Sequence, residues 1–162
     1  YGSLVTDVAQ KVGNAGEFHL TDCTPIQLMH AHKKLQGFNN TKLTQTNAAD
    51  YTYKDPFDLV CSFMLLHEVP DDMKRKIVDR MLDNVSETGT VLFVDYHNPK
   101  KYWQPFRSIL QLVNRYLEPY SKALWDNEIQ SYATKHNEFI WEKETIFGGD
   151  SQCVTAKRKS NI

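Results

Sequence analysis

The sequence predicts an α/β fold, a mostly parallel sheet with crossing helices and an antiparallel hairpin at its C-terminal end. Three observations predict it. Segments of helical period alternate with short apolar segments, the pattern of repeated β-α-β units with right-handed crossovers. Two apolar segments, Phe57 to Phe63 (FDLVCSF) and Thr90 to Val94 (TVLFV), are near-continuous, as in strands covered on both faces of a parallel sheet. The end of the chain instead alternates apolar and polar over Phe139 to Phe147 (FIWEKETIF). It turns at Gly148-Gly149-Asp150 and returns over Gln152 to Lys157, which reads as a hairpin.

The elements follow in order. Ser3 to Val12 reads as a helix with Leu4, Val5 and Val8 on one face, ended by Gly13 and Gly16. Glu17 to Thr21 is a short strand ending in Asp22. Thr24 and Pro25 open a helix to about Leu35, Thr as cap and Pro in the first turn, and Gly37 stops it. Lys42 to Thr46 is a weak strand. After the Phe57 strand, Pro70-Asp71-Asp72 opens a helix to Asn84, and Glu87-Thr88-Gly89 is a turn into the Thr90 strand. A longer helical region runs from Pro99 to about Tyr120, interrupted by Pro105 and Pro119. Trp125 to Ala133 reads as one more short helix.

The chain has 162 residues, enough for one domain with a real core. That domain is expected over residues 1–158, with a polar tail over 159–162. Lys plus Arg is 19 and Asp plus Glu is 20, for a net charge of −1. This balance argues against a nucleic-acid partner, which asks for a basic excess. With 41% hydrophobic and 24% charged residues, the composition is that of a folded domain. No apolar run reaches the roughly 18 residues of a membrane span. The chain opens on Tyr1, without an initiator Met or a signal-peptide pattern, and reads as a piece cut from a longer, non-secreted protein. Cys23, Cys61 and Cys153 form no C-x-x-C pair, which argues against structural zinc and for a reducing compartment. Cys61 and Cys153 read as small buried hydrophobes.

Ligands of open α/β sheets bind outside the carboxyl ends of the strands. Acids or histidines follow four consecutive strand ends: Asp22-Cys23, Ala49-Asp50, Met64-Leu65-Leu66-His67-Glu68 and Asp95-Tyr96-His97. A carboxylate in the place of Asp22 suits a ribose diol, so a nucleoside-bearing cofactor is the first expectation. The plainer alternatives are that Asp22 caps the next helix, Asp50 is a turn residue, His67 is a satisfied junction histidine, and Glu68 faces the Pro70 helix N-terminus. The region from Lys100 to Trp125 is rich in aromatics, and its apolar residues cover more than one stripe. A second stripe there forms a lid over an apolar substrate, touches a membrane surface, or makes a dimer interface.

FDLVCSFMLLHEVPDD and TGTVLFVDYH resemble the second half of class I methyltransferases that use S-adenosylmethionine, a Rossmann-like fold with a mostly parallel sheet and a C-terminal antiparallel hairpin. LLHEVPDDMKRKIVDRML, FVDYHNP, LEPYSKALWDNEI and WEKETIFGG together resemble the rhodoquinone-biosynthesis RquA family, over Tyr1 to about Lys157. The resemblance implies that the first strand and most of the glycine-rich loop precede Tyr1, so the first strand is missing. It implies replacement of a methoxy group of ubiquinone by an amino group, with S-adenosylmethionine as amino donor and manganese as metal. By position, Gly2 matches the last glycine of the loop, Asp22 and Cys23 lie at the ribose, and Ala49 and Asp50 lie at the adenine. Phe63, Met64 and Leu65 line the cofactor cleft. His67, Glu68, Asp95, Tyr96 and His97 face the substrate as catalytic residues, with Glu68, Asp95 and His97 offering mixed ligands to a metal. A quinone substrate implies work at a membrane surface, on the cytoplasmic side in a bacterium or in a mitochondrion. The competing readings are an ordinary methyltransferase of a small molecule or lipid, and a non-catalytic binding module on the same fold.

Overall fold

The computed structural model describes residues 4–98, 117–146 and 149–159. The chain divides into two compact units, Tyr1–Tyr51 and Thr52–Ile162, and each has its own sheet.

The first unit contains α1 (Leu4–Val12), β1 (Phe18–Asp22), α2 (Pro25–Lys34) and β2 (Thr41–Gln45). β1 and β2 pair in parallel, Phe18 opposite Thr41 through Asp22 opposite Gln45. Val5 and Ala9 are one helical turn apart on α1, and both are buried with Leu35 against Phe18, Leu20, Phe38 and Leu43. That cluster excludes water from the apolar face of the two strands and is the main force holding them to the helices. Gly13 ends α1 with a φ of +61°, in the left-handed region where a side chain is disfavoured. Asn40 donates to the carbonyls of Gly13 and Gly16, pairing groups the helix end leaves open. Thr24 stands at the N-cap of α2 but makes no side-chain cap bond. Asp22 Oδ1 accepts the Thr24 N–H at 2.7 Å, a turn bond just ahead of the helix.

The second unit contains β3 (Phe57–Phe63), a 3₁₀ turn at Leu66–Glu68, α3 (Asp71–Asn84), β4 (Val85–Tyr96), α4 (Ser121–Asp126), further 3₁₀ turns at Ile129–Tyr132 and His136–Glu138, β5 (Phe139–Ile146) and β6 (Ser151–Arg158). Its sheet has the order β3-β4-β6-β5. β3 and β4 are parallel, whereas β4–β6 and β6–β5 are antiparallel. The terminal hairpin is therefore present. Pro70 precedes α3, and Asp71 and Asp72 in its first turn favour the helix N-terminus. Ile77, Val78, Met81 and Leu82 form one buried stripe on α3, and α3 lies against β3 and β4. Each such side chain contributes about 2 kcal/mol by leaving water. Arg158 on β6 donates to the carbonyl of Leu82 at 3.1 Å, a cation at the helix C-terminus.

Four expectations change. β3 is not covered on both faces: Leu59 is 56% exposed and Phe63 is 53% exposed. Only β4 pairs with β3 among the described residues, so its outer side lacks the neighbour that a central strand has. Cys61 shares that face and is exposed, not buried, and Cys153 is half-buried. The apolar surroundings that remain, then the charge of Cys153, push the Cys61 thiol up to about 11. The turn at Glu87 to Gly89 lies within β4, where the pairing shifts register between Phe57 and Leu59. The helix expected over Trp125 to Ala133 is α4 followed by a 3₁₀ turn. The helical region expected from Pro99 lies outside the described residues up to 116.

Gly89 is required by close approach. A Cβ there would sit 2.8 Å from the Phe57 carbonyl oxygen and 2.7 Å from a Val85 methyl. Gly89→Ala will lower stability by about 1–3 kcal/mol, the cost of overpacking. The denaturant midpoint measures it, and an unchanged midpoint contradicts this account of the register shift.

Candidate functional site

The C-terminal ends of β3 and β4 meet at one buried carboxylate. β3 ends at Phe63, and Met64 takes a φ of +51°, a left-handed conformation rare for its side chain. Leu65 follows in the right-handed helical region. A left-handed then right-handed pair turns successive N–H groups inward and makes an anion-binding nest. Here the anion is the protein's own. Asp95 Oδ2 accepts the N–H of Leu65 at 3.1 Å and of Leu66 at 2.7 Å. Asp95 Oδ1 accepts the Tyr96 N–H at 2.8 Å and pairs with His67 Nδ1 at 2.8 Å. Met64 N–H donates to the Val94 carbonyl at 2.8 Å, tying the turn to β4 once more. Asp95 itself is 1% exposed.

These bonds orient His67. In the neutral ring, donation from Nδ1–H to the Asp95 carboxylate leaves the lone pair on Nε2. The His67 side chain is 5% exposed, and Nε2 lies 3.9 Å from Glu68 Oε1 and 3.8 Å from Glu118 Oε2, beyond hydrogen-bond distance. Between them is a cleft of about 300 Å³ lined by His67, Glu68, Leu117, Glu118, Pro119 and Tyr120. Burial alone pulls the His67 imidazole down. The Asp95 hydrogen bond and the charges of Asp95, Glu118 and Glu68 outweigh it and hold the imidazole above its ordinary value. The Tyr96 ring lies 4.4 Å from the His67 ring, centre to centre. Burial, then the charges of Glu118, Asp95 and Glu68, pushes the Tyr96 phenol up, so it stays a proton donor at neutral pH. A base with a fixed tautomer, beside a phenol and two carboxylates, can take a proton from a nucleophile and hold it as imidazolium.

The expected residues are not all brought together. His67, Glu68 and Tyr96 share the neighbourhood of the cleft, and Asp95 stands behind His67. His97 is half-buried, and its N–H donates to the Asp150 carbonyl at 2.9 Å. Asp22, half-buried at the end of β1, and exposed Cys23 belong to the first unit. So do Ala49, 7% exposed, and exposed Asp50. Asn47 closes the turn that carries them, its Oδ1 accepting the Ala49 N–H at 2.9 Å and its carbonyl accepting the Asp50 N–H. Asp22 thus sits in a turn ahead of α2, and Asp50 in the turn closed by Asn47. Gly2 lies outside the described residues. The metal set of Glu68, Asp95 and His97 does not assemble. Among the described residues no three His, Cys, Asp or Glu side chains gather as ligands, and both Asp95 oxygens are already engaged. Reading the strand ends missed Glu118, which is distant in sequence from every strand end.

A methyltransferase-domain family matches residues 1–89 of the sequence. The chain belongs to that family. No curated protein matches the sequence. Among solved structures, the mitomycin 7-O-methyltransferase MmcR is similar at a TM-score of 0.75 and 16% identity, over 98% of this chain and 46% of its own. An O-methyltransferase family protein from Burkholderia thailandensis is similar at 0.73 and 15%, over 99% of this chain and 50% of its own. LepI, solved with S-adenosylmethionine, is similar at 0.71 and 13%, over 98% and 40%. The chain spans about half the length of these proteins. The expected Rossmann-like class I methyltransferase fold, parallel with an antiparallel end, is the one present.

The pH dependence follows from the raised His67 value. A group whose folded value is raised adds stability fully below its unfolded value, about 6.5, and loses it as pH rises through the folded value. The stability difference between wild type and His67→Gln will therefore be larger at pH 5.5–6 than at pH 9, the loss beginning above about 6.5 and running through the raised folded value. Denaturation at the two pH values measures it, and a difference that grows with pH contradicts the raised value. Asp95→Ala will cost about 3–5 kcal/mol, because it strands buried N–H groups and an imidazole.

Proposed function

We propose that the chain is part of an S-adenosylmethionine-dependent transferase, and that its acceptor is a quinone aminated in place of a methoxy group. The observation that carries the transferase reading is His67, with Nδ1 held by buried Asp95 and Nε2 open to a cleft. The quinone reading is supported by the RquA-like motifs LLHEVPDD, FVDYHNP and LEPYSKALWDNEI. Asp22, Ala49 and Asp50 hold the adenosine end of the cosubstrate. S-adenosylmethionine supplies the transferred group when bound.

A ring carbon bearing methoxy and conjugated to a carbonyl is a vinylogous ester carbon. A neutral primary amine attacks it, the C–N bond forms and the C–O bond to methoxy breaks, giving a substituted aminoquinone and methanol. The bond from that nitrogen to its donor carbon is then cleaved with water as co-reactant, leaving the amino group on the ring. His67 takes a proton from the ammonium and supplies one to the departing methoxide. Tyr96 donates to the quinone oxygen as negative charge develops there. An apolar quinone places the reaction at a membrane surface. No helix among the described residues is long and apolar enough to cross one.

The second reading is methyl transfer to a small molecule, favoured by the family match and by likeness to O-methyltransferases. One experiment separates the two. The full protein is incubated with methyl-labelled S-adenosylmethionine, ubiquinone and manganese, and the quinone is read by mass. The amination reading gives an unlabelled product with amino in place of methoxy. Label in the product establishes methyl transfer, and an unchanged quinone contradicts the quinone reading. His67→Ala will lower the rate about 10²–10⁴-fold, the contribution of a general base.

A further inference from the structure

Lys74 has no exposed surface, although lysine is among the residues least often buried. It also sits in the first turn of α3, the end of a helix where a cation is disfavoured. Neither burial nor the helix favours an ammonium there, so its bonds to other parts of the chain explain it. Its Nζ donates to the Val69 carbonyl at 2.6 Å, to Asp71 Oδ1 at 3.0 Å and to the Tyr120 carbonyl at 3.2 Å. These use all three N–H groups. The rings of Tyr120 and Tyr132 lie 5.7 and 6.0 Å from the same nitrogen, within cation–π range.

Two of the three acceptors tie Lys74 to the two segments that line the His67 cleft, one within a segment and one directly after the other segment. Val69 follows directly on the 3₁₀ turn that carries His67 and Glu68. Tyr120 belongs to the turn that carries Glu118. That second turn is stiff: the Ser121 N–H and Oγ both donate to the Glu118 carbonyl, at 3.0 and 2.8 Å. A shift at Tyr120 is therefore passed to Glu118. We propose that Lys74 is a positioning residue that clamps the two walls of this cleft and sets its width for the acceptor. The role in turnover rests on the reading of the His67 cleft as the acceptor site. The clamp itself does not.

The test compares wild type, Lys74→Met, Glu118→Gln and the double variant in the full protein. Lys74→Met keeps the apolar stem and removes the ammonium. Hydrogen exchange at the Ser121 amide reads the clamp without any turnover. Protection there will fall in Lys74→Met while protection within β4 is retained, and unchanged protection at Ser121 overturns the proposal. In turnover, kcat/KM for the acceptor will fall by up to about a hundredfold, as a displaced positioning group costs. The KM for S-adenosylmethionine will stay at the wild-type value. The double variant will lose less than the product of the two single losses, since both act on one wall. Multiplicative losses, or wild-type acceptor kinetics well below the unfolding midpoint, overturn the proposal. A wild type that binds S-adenosylmethionine but turns over no acceptor contradicts the reading of the site, and the exchange result still decides the clamp. If Lys74→Met does not fold, Lys74→Gln, which keeps one donor, takes its place in every comparison.

Discussion

Asp95 is the group on which the rest of the second unit's site depends. Its carboxylate is buried and accepts from three backbone N–H groups and one imidazole. A buried charge is tolerated only when its lone pairs are met, and here the meeting groups come from a turn that no sequence preference would form. Met64 holds a left-handed conformation at a cost of order 1 kcal/mol or more. The hydrogen bonds to Asp95 offset that cost. One interaction thus fixes the path of the chain after β3, the tautomer of His67 and the direction of its free nitrogen. A nest that elsewhere would bind a ligand's anion is filled internally, so the functional groups are those arranged around it.

Much of this was legible in the sequence. The apolar runs, the Pro70 helix start and the terminal hairpin all rest on local pattern, and each is present. The strand-end rule named His67, Glu68, Asp95 and Tyr96, which the fold brings near one another. The role of Asp95 was also within reach. It shares the parity of Val91 and Phe93, which are buried, so alternation alone turns it away from the more open face. Lys74 is three residues before Ile77, on the apolar stripe of α3, and a lone cation in such a stripe is a readable anomaly.

Other features were not legible, because they depend on what lies beside an element. FDLVCSF is apolar whether or not a second strand flanks it, so the exposure of Leu59 and Phe63 has no signature in the segment. Glu118 reaches His67 from more than fifty residues away in the chain. No spacing rule covers such a pair. Glu68, Asp95 and His97 have suitable metal-ligand chemistry but do not gather among the described residues, where Asp95 spends both oxygens on the turn and its neighbours. Donor type is written in the sequence, and donor availability is set by packing.

The account therefore turns on the state of one imidazole. Heteronuclear NMR of the His67 ring nitrogens, in the intact protein above the raised imidazole pKa, reads that state directly. The geometry predicts a neutral ring with the proton on Nδ1, donated to Asp95, and an unprotonated Nε2 facing the cleft. A neutral ring that carries its proton on Nε2 would contradict both the Asp95 clamp and the assignment of His67 as base.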